Sequence, residues 1–279
     1  MFAMSESYTI EDVLATPIVE AIDPEIVKDI VNRPPFVHIP GTFNARDIGS
    51  DEQDGARSGY IVRSGTFEDA DDATLASLQK LNITTIYDLR NLRETQDRPD
   101  PQFSGIEIQW CPSTVDNDLE KNFQARVAQK LNIHEEYAKL MRSHAPKFEA
   151  VFRHILELPD KPLLFHCFAG KDRTGILAAL ISLLAQGEDR DGALSAAQRD
   201  YDLSRVGIEP VRELLLAKVL SYGNVDPKDA GGFADLRAFV VELSREYGGV
   251  HAYLNNHLGF TSEEIQQIRE NLRPRPSGH

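Results

Sequence analysis

The 279-residue sequence predicts an α/β fold with a central, mostly parallel sheet flanked by helices and an all-helical C-terminal third. Two observations predict this class. Up to residue 174, short runs rich in β-branched and aromatic residues alternate with helical patterns, which favours parallel strands joined by helices. After residue 174, the apolar residues recur at helical spacing.

Four apolar runs predict the strands of this sheet. The last of them, Leu163 to Phe165 with His166, follows Pro162 and is apolar on both sides, which is typical of a buried central strand. The predicted strands cover residues 60–63, 83–89, 106–110 and 163–166.

Helical spacing of apolar residues predicts the helices. Residues 175–184 are apolar on nearly every side, which indicates a buried helix. Pro146 suits the first turn of a helix over 146–155, and Thr261 with Glu264 forms a capping box that opens the last helix. The other helical patterns lie at 24–31, 73–81, 133–141, 211–219 and 233–243.

The composition predicts a single globular domain of a cytoplasmic protein. We divide the chain into an N-terminal extension (1–35), a domain (36–272) and a short tail (273–279). The net charge of −14 disfavours binding to nucleic acid or to anionic membranes. Two cysteines allow no disulfide framework, the histidines lack metal-ligand spacing, and no run is long enough to span a bilayer.

The chemistry is concentrated in residues 166–175, HCFAGKDRTG, between the last strand and the buried helix. Backbone N–H groups at such a junction, together with the helix N-terminus, form a site for an anion. The helix dipole, Lys171 and Arg173 favour the thiolate of Cys167, which is the nucleophilic form. Arg173 can grip two phosphoryl oxygens, and Thr174 can offer its hydroxyl to the sulfur when a phosphocysteine is hydrolysed.

This string resembles the signature of the protein tyrosine phosphatase superfamily, in which Cys-x5-Arg-Thr follows a histidine. Its full form resembles a branch of bacteria and fungi that includes secreted phosphatases of intracellular pathogens, active on phosphoproteins and phosphoinositides. Residues 44–49 (NARDIG), 63–65 (RSG) and 87–90 (YDLR) also fit that branch, so the resemblance covers 36–272. It implies a tyrosine-phosphatase-like fold and catalysis without metal or organic cofactor.

The leaving group needs a proton, normally from a carboxylic acid. The resemblance implies Asp172, inside the loop, as this acid. Asp88 ends a predicted parallel strand on the same sheet edge as Cys167, so it is the second candidate for the acid. Alternatively, Asp88 orders the loop, orients Arg173, or caps a helix or turn. Asp116, after Trp110, is the third.

We expect the other loop side chains and backbone groups to bind the substrate phosphate. A lysine at the position of Lys171 is familiar in lipid and inositol-phosphate phosphatases and suits a substrate that carries a second phosphate. Alternatively, Lys171 binds a carboxylate or shapes the loop. The predicted binding residues are His166, Phe168, Ala169, Gly170, Lys171 and Thr174.

Several polar residues allow a structural interpretation. Arg46, Asp47, Arg63 and Arg90 are expected to form an ion-pair network under the loop. Cys111 is expected to be a small residue near a strand end, or alternatively a resolving thiol for oxidised Cys167. Residues 118–144 are either a lid or ordinary packing.

The sequence therefore predicts a phosphate monoester hydrolase with a phosphocysteine intermediate. Its substrate is expected to be a phosphotyrosine protein or a phosphoinositide, with an inositol phosphate or small metabolite as the alternative. A catalytically inactive phosphate-binding module is the alternative of another class, and the presence of nucleophile and acid together counts against it. A rhodanese-like or arsenate-reducing enzyme leaves the full loop string unexplained.

Overall fold

The computed structural model describes residues 8–50, 56–67, 69–113, 133–187, 191–221 and 236–274. Its strands are β1 (Arg46–Asp47), β2 (Ile61–Ser64), β3 (Thr85–Asp88), β4 (Glu107–Trp110) and β5 (Leu163–His166). They form one sheet in the order β1-β2-β5-β3-β4, in which β1 is antiparallel to β2 and the other neighbours are parallel. The predicted α/β class with a mostly parallel sheet is confirmed.

The strand register places four residues in one row at the carboxyl end of the sheet. Ser64 pairs with His166, His166 with Asp88, and Asp88 with Trp110. Loops that leave this row therefore start side by side, and the loop after β5 starts at Cys167 in the middle of the sheet. This edge is where parallel α/β sheets carry their binding sites.

The helices fill most of the chain between and after the strands. Their bounds are α1 (Ile10–Leu14), α2 (Pro24–Val31), α3 (Asp72–Lys80), α4 (Leu92–Asp97), α5 (Ile133–Ser143), α6 (Ala145–Glu157), α7 (Asp172–Gln186), α8 (Asp191–Gly207), α9 (Arg212–Leu220), α10 (Leu236–Tyr247), α11 (Val250–Asn256) and α12 (Ser262–Leu272). A 3-10 turn, Glu209–Val211, joins α8 to α9. Among the described residues, no helix has the length and apolar character needed to cross a membrane.

Successive strand side chains point to opposite faces of the sheet, so the sheet separates two cores. In β5, Leu163 and Phe165 enter the larger core, while Leu164 enters the smaller core that includes Leu78 of α3. Helix α7 lies inside the larger core and is buried along nearly its whole length. Because α7 is surrounded by apolar side chains, its sequence has no polar face.

Local sequence signals locate several helix ends correctly. Helix α2 has the predicted bounds, and Pro146 lies in the first turn of α6. The Thr261 hydroxyl accepts a hydrogen bond from the Glu264 N–H at the start of α12, as the capping box predicts. The described part of the helix predicted over 233–243 begins at Leu236, and residue 233 lies outside the described residues.

The N-terminal segment, residues 8–35, packs against α8. Val13 and Ile30 share an apolar cluster with Leu203 and Val206 of α8. Arg205, which is fully buried, donates hydrogen bonds to backbone carbonyls of this segment, including Thr16 O at 2.7 Å. The segment predicted as an extension is therefore attached to the helical layer by both apolar and polar contacts.

Candidate active site

The loop between β5 and α7 begins at Cys167, a free cysteine that is buried. Gly170 turns the chain with a φ of +64°, and a Cβ there would lie 2.5 Å from the backbone oxygen of Ser64. Only glycine fits this close approach without moving β2 or the loop. The loop is thus held tightly against the end of β2.

Two side chains hold the loop carbonyls on the β2 side. Asn44 Nδ2 donates to Ala169 O at 3.0 Å and to Gly170 O at 3.1 Å, and Arg63 Nη2 donates to Gly170 O at 2.7 Å. In a trans peptide the N–H lies opposite the C=O. The N–H groups that follow these carbonyls therefore point away from β2, and the N-terminus of α7 adds partial positive charge.

Arg173 lies in the first turn of α7 and is only 5% exposed. Its Nη1 and Nη2 donate to the two carboxylate oxygens of Glu94 in α4, at 2.5 and 2.9 Å. Burial works against the charge of Arg173, but Glu94 and then Cys167 outweigh burial and raise the pKa of the guanidinium above its ordinary value. Arg173 is therefore a fixed cation beside Cys167.

Asp172, at the start of α7, is the centre of a polar group. Its Oδ1 accepts hydrogen bonds from Lys171 Nζ at 2.8 Å, Tyr137 OH at 2.9 Å and Tyr201 OH at 3.3 Å. The two tyrosine hydroxyls lie 2.6 Å apart and are buried, whereas the Asp172 side chain is 42% exposed. Burial disfavours the charged form of Lys171, yet Asp172 and Tyr201 raise the pKa of its amine.

Asp88 has a different environment from Asp172. Both of its carboxylate oxygens accept hydrogen bonds from Arg90, with Nε at 2.9 Å and Nη2 at 2.9 Å, and the side chain is buried. Burial raises the pKa of Asp88, but His166 and Arg90 together outweigh burial and bring it below its ordinary value. Arg90 also binds Asp100 at 2.7 Å.

His166, the last residue of β5, joins this cluster. Its Nε2 lies 3.0 Å from Asp100 Oδ2, and although burial lowers the pKa of the imidazole, Asp100 and Asp88 raise it overall. Asp88, Asp100 and His166 bring potential metal-ligand atoms within 4.8 Å of one another. Because Arg90 already binds both carboxylates, these residues fit an ion-pair cluster that supports the loop.

The predicted ion-pair network is divided in two, because Arg90 pairs with Asp88 and Asp100, whereas Arg46 and Arg63 share a carboxylate that the sequence analysis did not include. Arg46 and Arg63 both pair with Asp200 of α8, and Arg46 Nε lies 3.0 Å from Asp200 Oδ1. Asp47 accepts instead from Ser58 Oγ at 2.8 Å and from the Gly59 N–H at 2.7 Å, so it holds the turn before β2.

Cys111 follows β4, two strands away from Cys167. Neighbouring strands lie about 4.8 Å apart, so the two Cα atoms are separated by roughly 10 Å. This exceeds the limit of about 7 Å for a disulfide, so direct pairing requires backbone movement. That Cys111 resolves oxidised Cys167 stays a prediction, and it requires this backbone movement.

Two other predictions fall partly or wholly outside the described residues. Asp116 lies outside them, as do residues 118–132 of the segment predicted as a lid or as packing. The described remainder includes α5, whose Tyr137 contacts Asp172.

Sequence reasoning did not find Glu94, Asp100, Tyr137, Asp200 and Tyr201. Glu94 had a local signal, because Asn91 and Glu94 form a capping box just after β3, on the edge that carries Cys167. Asp200 and Tyr201 lie within a long helix and carry no such signal.

Cys167 and Arg173 thus lie at opposite ends of one loop on the carboxyl edge of a parallel sheet, the edge at which α/β sheets carry their binding sites. A family model described as the tyrosine phosphatase family matches residues 37–274. The chain therefore belongs to the tyrosine phosphatase family, and it is a phosphatase.

Individual relatives agree with this assignment. The triple specificity protein phosphatase PtpB of Mycobacterium tuberculosis is 31% identical over 271 residues, which cover 83% of this chain and 96% of the relative. A tyrosine-protein phosphatase of Nostoc commune is 31% identical over 227 residues, which cover 76% of this chain and 74% of the relative. Among solved structures, TpbA of P. aeruginosa is 19% identical to this chain, and the match covers 64% of this chain and 98% of TpbA with a TM-score of 0.27.

Proposed function

We propose that this phosphatase hydrolyses phosphate monoesters through a phosphocysteine intermediate on Cys167. The observation that carries the proposal is the placement of Cys167 and Arg173, both buried, at the two ends of a loop whose carbonyls are held away from the opening. The Cys167 thiolate attacks phosphorus, the P–O ester bond breaks, and the leaving oxygen takes a proton. Water then attacks phosphorus, the S–P bond breaks, and inorganic phosphate leaves.

Asp172 is the proposed general acid in the first step and general base in the second. It is half-exposed at the opening of the loop, where a leaving group departs, and Tyr137 and Lys171 fix its carboxylate. Asp88 is buried with both oxygens on Arg90, so we assign it to holding the loop rather than to proton transfer. A general acid is worth about 10²- to 10⁴-fold in rate.

Thr174 is the proposed hydrogen-bond donor to the sulfur. Its side chain is fully buried, and its hydroxyl has no hydrogen-bond partner among the described residues. An unpaired buried hydroxyl is costly, which suggests that its partner is a catalytic group. As the sulfur becomes a thiolate on hydrolysis of the intermediate, this donor stabilises the leaving charge.

The proposed substrates are phosphotyrosine proteins and phosphoinositides. The name of the M. tuberculosis relative, a triple specificity phosphatase, supports a range of substrates. Lys171, one residue before the acid, is a buried cation paired with Asp172, and its charge favours a second phosphate beside that pair. Both cysteines are free thiols, as this chemistry requires and as a reducing compartment such as the cytoplasm maintains.

The test compares phosphate release by wild type and Cys167→Ser in EDTA, on phosphotyrosine and phosphoserine peptides, phosphoinositides and inositol phosphates. We expect turnover by wild type alone, with phosphotyrosine and phosphoinositide preferred. Binding without turnover by either protein would identify the inactive binding module instead. Preference for a small phosphate would replace the substrate assignment and keep the mechanism.

A leaving-group series tests the acid separately. Asp172→Asn should lose about 10²-fold or more on alkyl phosphates, whose leaving oxygen needs a proton, and far less on aryl phosphates with an acidic phenol. Asp88→Asn is the comparison variant, and it should lower the activities on alkyl and on aryl phosphates by the same factor. An equal loss on all leaving groups in Asp172→Asn would remove Asp172 from this role.

A further inference from the structure

The direction of the loop N–H groups depends on side chains outside the loop. Asn44 binds the carbonyls of Ala169 and Gly170, and Arg63 binds Gly170 O at 2.7 Å and Lys171 O at 3.4 Å. These carbonyls belong to the peptides whose N–H groups are those of residues 170–172. Asn44 and Arg63 therefore determine which way these N–H groups point.

Both of these side chains are held in turn by Asp200 of α8. The Asp200 carboxylate pairs with Arg63 Nη1 and, at 3.0 Å, with Arg46 Nε. Arg46 then donates through Nη1 to the backbone oxygen of Asn44 at 3.1 Å and to its side-chain oxygen. One carboxylate thus holds Arg63 directly and Asn44 through Arg46.

The charges make Asp200 hard to replace. Arg46 and Arg63 are fully buried, and the two cations face the same carboxylate. Burial and the nearby Arg63 charge together lower the pKa of Arg46 to about 10, although Asp200 opposes both effects. Without the carboxylate, the two guanidinium groups repel each other and lose their shared orientation.

We propose that Asp200 is a positioning residue for phosphate ester hydrolysis, acting through Arg63 and Arg46 to aim the loop N–H groups at the phosphoryl group and at Cys167. The proposal rests on the proposed function, because it assigns these N–H groups to the phosphoryl site. Asp200 touches no reacting atom. Its effect is on the geometry of the loop, where a displacement of about 1 Å can cost on the order of 10²-fold in rate.

The test uses Asp200→Asn in the full chain, which keeps the shape and removes the charge. Three quantities are measured on folded protein: kcat on an aryl phosphate, the affinity for inorganic phosphate, and the rate of Cys167 alkylation by iodoacetamide across pH. We expect kcat to fall about 10²-fold. We also expect weaker phosphate binding and slower alkylation at neutral pH, because misdirected N–H groups stabilise neither the bound anion nor the thiolate.

Glu209→Gln is the matched control. Like Asp200, Glu209 is a partly buried carboxylate shared by two arginines, Arg205 at 2.5 Å and Arg212 at 3.1 Å. It holds the N-terminal segment through the Ile22 N–H and is not bonded to the loop in the described structure. It should lower stability while leaving kcat, phosphate affinity and alkylation unchanged.

Asn44→Gly is a second variant that leaves Asp200 intact and decides the question if Asp200→Asn does not fold. Glycine accepts the φ of +58° at this position, and the substitution removes the two bonds to the loop carbonyls together with the bond from Arg46 Nη1 to the Asn44 side-chain oxygen. We expect the same three changes as for Asp200→Asn. The proposal would be overturned if folded Asp200→Asn or Asn44→Gly kept normal phosphate affinity and a normal rate of Cys167 alkylation. It would also be overturned if Glu209→Gln lost as much phosphate affinity and alkylation rate as these variants.

The readouts separate this proposal from the proposed function. If the wild type has no turnover that depends on Cys167, the proposed function fails. Phosphate affinity and alkylation still decide the role of Asp200, because neither measurement needs turnover.

Discussion

Replacement of Glu94 by glutamine tests whether Arg173 depends on a charge partner before substrate binds. The two side chains form two hydrogen bonds, at 2.5 and 2.9 Å, and Arg173 is only 5% exposed. Glu94 also accepts the Asn91 N–H at 2.9 Å in a capping box, a position that glutamine fills equally well. The substitution therefore removes a charge while it keeps the helix cap and one acceptor for Arg173.

The expected loss of stability follows from this geometry. Removal of one partner from a buried ion pair costs about 3–5 kcal/mol, because the other charge stays buried. The Glu94 side chain is 18% exposed and glutamine keeps one bond, so we expect a loss of about 2 kcal/mol in the free energy of unfolding. Inorganic phosphate can then supply the missing negative charge, so it should stabilise the variant more than it stabilises the wild type.

The assay is urea unfolding followed by circular dichroism, with and without saturating phosphate. Asp97→Asn is the control in the same helix, because the Arg93–Asp97 pair spans 3.9 Å with both side chains largely exposed. It should change stability by less than about 0.5 kcal/mol. If Glu94→Gln unfolds at the wild-type urea concentration and phosphate stabilises both proteins equally, the charge of Glu94 does not hold Arg173.

Three further predictions concern stability and loop geometry. Burial and two nearby cations lower the pKa of His144 to about 3, so between about pH 6.5 and 3 the unfolded state binds more protons than the folded state. Stability should therefore fall as pH drops through this range, by up to about 1.4 kcal/mol per unit, and unfolding at several pH values should show that His144→Asn reduces the slope. Phe152→Ala, at a fully buried site, should cost about 3–5 kcal/mol in urea unfolding, whereas Val241→Ala at an exposed site should stay within about 0.5 kcal/mol. Gly170→Ala should lower kcat by roughly 10²-fold on an aryl phosphate, since a Cβ would lie 2.5 Å from a backbone oxygen and displace the loop; normal turnover would contradict this reading.

The parts of the fold that could be predicted are those with local causes. The strand before Cys167 is a short apolar run between a proline and the loop, and the buried helix after it has no polar face. The turn at Gly170 is also local, since it needs a residue that tolerates positive φ. By contrast, β1 has only two residues, Arg46–Asp47, too few to leave an alternating pattern.

The partners of the loop could not be predicted, because they come from distant parts of the chain. Glu94 is separated from Arg173 by 79 positions, and Asp200 from Arg63 by 137. Sequence reasoning identified Arg63 as part of an ion-pair network, but its carboxylate is one of many acidic residues on predicted helices. Only the packing of α8 against α7 brings that particular residue under the loop.

The charge balance around the loop suggests how an acidic protein can still select an anion. Among the described residues, five cations near the loop have a carboxylate partner; the pairs are Arg46 and Arg63 with Asp200, Arg90 with Asp88 and Asp100, Lys171 with Asp172, and Arg173 with Glu94. With a net charge of −14, long-range attraction gives a substrate little help. The partners of the three buried arginines under the loop cannot be exchanged without opening the core. Under the proposed mechanism, a phosphoryl group therefore exchanges with the Glu94 carboxylate at Arg173, while the Lys171–Asp172 pair stays in place for proton transfer.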